Sequence, residues 1–83
     1  MTLDELKTDL AAILCAEEAA NWEGVEILSE RTYIRLMTED ETPQDYPHEA
    51  VVGFLAGYIR RRSDAPFAAQ QHRWLQSYLR PAL

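Results

Sequence analysis

The stretch Val25–Met37, VEILSERTYIRLM, decides between two fold classes for this chain of 83 residues. It is rich in β-branched and aromatic side chains and contains no alanine, a composition that favours strands. Apolar and charged residues alternate at its ends, as in Val25, Glu26 and Ile27. With Ser29–Arg31 as the turn, the pattern predicts a β-hairpin.

A helix is the alternative for the same stretch, because Val25, Leu28, Thr32 and Leu36 also fit one helical stripe. A two-stranded hairpin alone is marginally stable, so it must lie on the helices or pair with another chain. The hairpin interpretation gives an α+β fold in the order helix, β-hairpin, helix, helix. The alternative fold is an all-α bundle.

Upstream of this stretch the sequence predicts an amphipathic helix. Thr2 followed by Glu5 is a capping-box pattern, which starts a helix at about Leu3. Gly24 is placed where a glycine often follows a helix C-terminus. The apolar stripe of this helix consists of Leu3, Leu6, Leu10, Ile13 and Leu14.

Downstream, the ten residues Ala50–Ile59, AVVGFLAGYI, carry no charge and are almost wholly apolar. They predict a second helix that opens near Pro47 and closes with Arg60–Arg62. A helix that is apolar all round is buried on both sides, so we expect it to be the central element. Gly53 and Gly57 then indicate close packing against a neighbouring backbone, since glycine in a helix costs about 1 kcal/mol relative to alanine.

The last predicted helix runs from about Pro66 to Arg80 and ends before Pro81. A capping segment precedes it at Ser63–Pro66. Its inner stripe consists of Phe67, Gln71, Trp74, Leu75 and Tyr78. With 47% hydrophobic residues, a chain of this length is expected to form one domain over residues 1–83.

Charge is divided unequally along the chain. Residues 1–50 carry thirteen acids and three bases, whereas residues 51–83 carry five arginines and one acid, Asp64. The formal net charge is −6. An electrically asymmetric surface of this kind favours oriented association with a partner.

Composition also indicates a compartment. A single cysteine, Cys15, excludes an internal disulfide and is typical of a reducing environment. The acidic N-terminal segment lacks the basic and apolar regions of a signal peptide. The longest apolar run is about half of what a membrane span requires. We therefore expect a cytoplasmic protein with no membrane contact.

Catalytic and metal sites are not indicated. His48 and His72 are the only histidines, and zinc-type spacings are missing. Nothing in the local sequence supports Cys15 and His72 as a nucleophile–base pair. The acids of the Thr38–Asp45 loop (Glu39, Asp40, Glu41 and Asp45) are mostly consecutive and lack the central glycine of a calcium loop. We expect no enzyme activity, metal or cofactor.

Segregated charge without catalytic residues predicts a small acidic protein-binding module: a regulator, adaptor or inhibitor of a larger bacterial or phage assembly. We also expect a homodimer. The alternative function is nucleic-acid binding through the Arg60–Arg62 patch, although the net negative charge disfavours nucleic acid as a partner. The predicted partner-binding residues are Arg60, Arg61, Arg62, Tyr33, Tyr58 and Trp74.

Overall fold

A computed structural model describes residues 1–38, 43 and 45–80. These residues contain no strand, so the predicted α+β class is wrong and the all-α alternative is the correct one. The five helices are α1 (Leu3–Glu18), α2 (Trp22–Thr38), α3 (His48–Ala56), α4 (Tyr58–Ser63) and α5 (Ala65–Leu79).

The predicted hairpin lies within α2 because one helical stripe of that segment packs into the interior. Val25, Ser29, Thr32 and Leu36 are buried at spacings of four, three and four residues. The proposed turn consists of Ser, Glu and Arg, none of which favours the positive φ angles that tight hairpins need. Packing of this stripe outweighs the strand propensity of the β-branched residues.

Helix α1 begins where the sequence predicts but ends earlier than predicted. The Thr2 side chain accepts a hydrogen bond from Glu5 N at 3.1 Å, and Glu5 returns one to Thr2 N at 3.2 Å, which confirms the capping box. The helix ends at Glu18 rather than near Gly24. Ala20 takes the left-handed conformation, with φ of 57°, that the sequence analysis assigned to a glycine.

Gly24 instead belongs to the first turn of α2. Its backbone N–H donates to the Asn21 side chain at 3.1 Å, so Asn21 caps this helix. The short connection makes α1 and α2 antiparallel neighbours. Arg35, late in α2, therefore forms ion pairs with Glu5 and Asp9, early in α1, at 2.9 and 3.3 Å.

The predicted central helix is divided and is not buried all round. It breaks at Gly57 into α3 and α4. Val51, Phe54 and Leu55 enter the core, whereas Ala50, Gly53 and Ala56 are exposed. Small residues on the outer face of α3 leave that face exposed in the described part of the chain. The expectation of burial on both sides is therefore wrong.

Helix α5 begins where predicted, because the Asp64 side chain caps it by accepting from Phe67 N at 3.1 Å. Leu75 is fully buried, and the other members of its predicted inner stripe are half-buried. Pro81, predicted to end this helix, lies outside the described residues. The described core consists of Met1, Leu6, Leu10, Ile13, Val25, Leu36, Val51, Phe54, Leu55 and Leu75.

Candidate functional site

Helix α2 carries a second apolar stripe that faces away from the core. In the described part of the chain, five large hydrophobic side chains are at least 43% exposed, and four of them lie on α2. The fifth is Ile59 of α4, which is 71% exposed. Monomeric proteins rarely leave such a set together on one surface unless that surface binds something. The four on α2 are Ile27, Tyr33, Ile34 and Met37.

An open groove of about 400 Å³ separates this stripe from α3 and α4. Ser29 and Ala56 contribute small side chains to it, so they leave a depression that larger residues would fill. The Ser29 hydroxyl is buried and has no hydrogen-bond partner among the described residues. The apolar groove is lined by Ser29, Glu30, Tyr33, Ile34, Leu55, Ala56, Tyr58 and Ile59.

Charges of opposite sign border the apolar groove. Glu26 and Glu30, both exposed, form its acidic rim on α2. A smaller depression of about 180 Å³ continues the groove between Glu26 and Arg62, the basic residue on the α4 side. Tyr58 donates a hydrogen bond to Glu30 Oε1 at 3.4 Å. Partial burial, together with the negative charges of Glu30 and Glu26, raises the pKa of Tyr58 above 10.0.

The predicted partner-binding residues do not form one surface. Tyr33 and Tyr58 do come together, on opposite walls of the apolar groove. Trp74 lies elsewhere: it stacks on Tyr78 with ring centroids 5.4 Å apart and lines a separate cleft between α3 and α5. Arg62 lines the smaller depression next to the groove.

Arg60 and Arg61 also have other roles than the one predicted. Arg60 pairs with Asp64 at 3.2 Å and lies over the Phe67 ring. Arg61 is 2% exposed, so its side chain does not lie on the protein surface as the prediction assumed. The patch of three arginines is therefore corrected to two exposed residues, of which one is engaged by its own chain.

Arg61 is held by three groups from three neighbouring helices: Glu17, Gln71 and the Phe54 carbonyl. Together with His72, which contacts Glu17, they form what we name the Arg61 cluster. Its Nε donates to Glu17 Oε1 at 2.7 Å. Its Nη1 donates to Phe54 O and to Gln71 Oε1, each at 2.6 Å. The second Glu17 oxygen, Oε2, is hydrogen-bonded to His72 Nε2. The cluster thereby joins α1, α3 and α5 to α4.

One sequence signal for this cluster was present and was missed. Glu17 continues the buried stripe of Leu6, Leu10 and Ile13 at the next helical spacing. A carboxylate on such a stripe requires a buried partner of opposite charge. The sequence does not say which arginine supplies it, because Arg61 lies 44 positions further along the chain.

Cys15, His72 and His48 are the other polar candidates that the sequence offered. Cys15 is exposed on α1, and His72 is bonded to Glu17. His48 Nδ1 lies 2.5 Å from the Tyr46 hydroxyl. No group of three or more potential metal ligands occurs among the residues described by the structure. Of the acidic loop, Glu39, Asp40 and Glu41 lie outside those residues.

Over the described residues, none of the helices combines the length and the apolar character needed to cross a membrane. Comparison with protein-family models, with curated proteins and with solved structures finds no match.

Proposed function

We propose that this chain is a non-catalytic protein-binding module whose docking surface is the apolar groove with the exposed stripe of α2. The observation that carries the proposal is the gathering of Tyr33, Ile34, Tyr58 and Ile59 around one open depression. Burial of apolar area is the main favourable contribution to protein association. A role as regulator, adaptor or inhibitor would follow from the identity of the partner.

The shape of the surface favours a protein over a small ligand. The stripe from Ile27 to Met37 covers eleven residues of helix, whose ends are about 15 Å apart. The groove beside it, lined on α2 by Ser29, Glu30, Tyr33 and Ile34, is open, whereas small-molecule sites are concave and enclose most of the ligand. Tyrosine on both walls is also typical of protein interfaces, where aromatic anchors supply much of the binding energy.

The alternative of nucleic-acid binding draws less support from these contacts. Phosphate recognition needs several accessible cations close together. Arg61 is buried and Arg60 is paired with Asp64, so Arg62 alone remains unpaired within the proposed patch as far as the described residues extend.

A cytoplasmic location accords with the exposed free thiol of Cys15, which a reducing compartment would preserve.

Site-specific photo-crosslinking inside the native host tests the proposal. A photoreactive amino acid at Ile34, on the groove wall, should form a protein adduct on irradiation. The same amino acid at Ala11, exposed on α1 and remote from the groove, serves as the matched control. Adducts from position 34 but not from position 11 support the docking surface. Equal adducts from both positions, or none from position 34, contradict it.

A further inference from the structure

We propose that the apolar groove is occupied by a second copy of this chain, related to the first by a two-fold axis that runs along the groove. This inference rests on the proposed protein-binding function and names its partner. Three observations carry it: the amount of exposed apolar surface, the opposite charges of the two rims, and the juxtaposition of a projecting side chain with a depression.

The exposed apolar surface has the size that a small symmetric dimer needs. The five side chains, 43% to 71% exposed, present on the order of 500 Å² of surface, at the upper end of what single monomers show. The groove walls and charged rims extend this area towards the roughly 800 Å² per partner of a standard interface. A second copy seated in the groove would bury Tyr33, Ile34 and Ile59, the three of the five that line it.

The rim charges favour a copy of the same chain and fix its orientation. Glu26 and Glu30 lie on one side of the groove, where Glu30 accepts a hydrogen bond from Tyr58, and Arg62 lies on the other side. Among the described residues, the ion pairs within the chain are formed by other side chains than these three. A two-fold axis along the groove brings the acidic rim of each copy against Arg62 of the other. An axis across the groove would bring like charges together, which is unfavourable.

The shape of the surface is self-complementary in the same arrangement. Ile59 projects with 71% exposure directly beside the depression formed at Ser29 and Ala56. In a two-fold interface the same patch serves both partners. A projecting side chain next to a depression therefore makes two equivalent contacts, one in each copy. Ile59 of each copy would enter the groove of the other, between Tyr33 and Tyr58.

Light scattering coupled to size exclusion provides the first test. The wild-type chain should elute with twice the 9.6 kDa mass of one chain at micromolar concentration. Ile34→Asp should raise the dissociation constant more than about 100-fold, because it places a charge in the centre of the interface twice per dimer. Ala11→Asp, an exposed change on α1, should leave the dimer intact.

A charge exchange tests the orientation and identifies the partner as the same chain. Glu26→Lys/Glu30→Lys and Arg62→Glu should each weaken self-association, since every rim contact becomes repulsive. Mixing the two variants should restore a dimer, because both rim contacts of the mixed pair are again attractive. A foreign partner would not produce this rescue.

The outcomes separate the two proposals. Dimers lost with Ile34→Asp and recovered on mixing support the two-fold arrangement. A constant monomer mass at tens of micromolar, with adducts from position 34 to a different protein, overturns the second copy and leaves the docking surface standing. A monomer without adducts at position 34 overturns both. Dimers that Ile34→Asp does not affect overturn this interface.

Discussion

Helix α4 places a charge inside the protein and a large apolar side chain outside it: Arg61 is 2% exposed, whereas Ile59, two residues earlier, is 71% exposed. The two regions around them differ in the same way. The Arg61 cluster is polar, buried and paired within the chain, and the apolar groove is exposed and uncovered by its own helices. A buried charge is stable only when its partners are in place, whereas an exposed apolar surface gains only from another molecule. One region therefore explains the fold, and the other carries the proposed function.

The largest loss of stability is expected from a substitution in the Arg61 cluster. Arg61→Ala should lower the free energy of unfolding by about 3–5 kcal/mol, because it leaves the Glu17 carboxylate buried without its cation. Arg62→Ala, an exposed neighbour, should change it by less than about 0.5 kcal/mol. Urea unfolding followed by circular dichroism measures both. Equal, small losses for the two arginines would show that Arg61 is not the buried partner.

A double variant separates charge pairing from packing in this cluster. Glu17→Leu combined with Arg61→Met removes both charges and keeps apolar volume, so it should be more stable than either single variant. If the double variant loses as much as the two single changes together, the pair contributes through packing alone.

The next largest difference in stability is expected between a substitution at the floor of the groove and one at its edge. Leu55 is 2% exposed, so Leu55→Ala should cost about 2–5 kcal/mol of stability. Ile59→Ala should cost the isolated chain less than about 0.5 kcal/mol, because Ile59 has little to pack against. Thermal melts at a concentration low enough to disfavour association give both values. A large loss for Ile59→Ala under these conditions would show that the groove edge supports the fold.

Gly53, within α3, and Gly57, at the break between α3 and α4, differ in the same way, with smaller expected changes in stability. An ideal Cβ at position 57 would lie 2.6 Å from Gln71 Oε1 and 2.9 Å from Gly53 O, whereas one at position 53 meets nothing within 4 Å. Gly57→Ala should therefore disturb the Arg61 cluster and cost about 1–2 kcal/mol. Gly53→Ala should stabilise by about 0.5–1 kcal/mol. Chemical denaturation of the matched pair checks the opposite signs.

Features encoded by neighbouring residues were the ones that the sequence made predictable. The capping box of Thr2 and Glu5, the cap at Asp64 and the helical alternative for α2 all depend on spacings within one or two turns. Pairing between residues that are far apart in the sequence was not predictable, since the Glu17–Arg61 contact depends on how four helices meet. The turn at Ala20 was missed because glycine, not alanine, is the usual residue in that conformation.

Two of the four large side chains around the groove were predictable from the sequence as interface residues, and two were not. Tyr33 and Tyr58 stand out from the sequence as aromatic interface residues, but Ile34 and Ile59 were assigned to a strand and to a buried helix. Periodicity shows that α2 has apolar residues on more than one side. Only the packing of α1 against one of those sides leaves the other exposed.

The smallest expected effect is a change in how Tyr58 titrates, and it tests whether the groove is covered. Burial and the acidic rim raise the pKa of Tyr58, so the folded chain holds this proton more tightly than the unfolded chain. The associated stability is fully present below pH 10 and is lost as the pH rises through the folded-state pKa. Glu30→Gln should move this pKa back towards 10.0, and Tyr58→Phe should remove the Tyr58 contribution from the phenolate absorbance that the four tyrosines produce together. A second copy in the groove would bury Tyr58 further, so its pKa should rise with protein concentration in the wild type and not in Ile34→Asp. Wild-type titration curves that superimpose over a hundredfold concentration range would show that nothing from a second copy covers Tyr58.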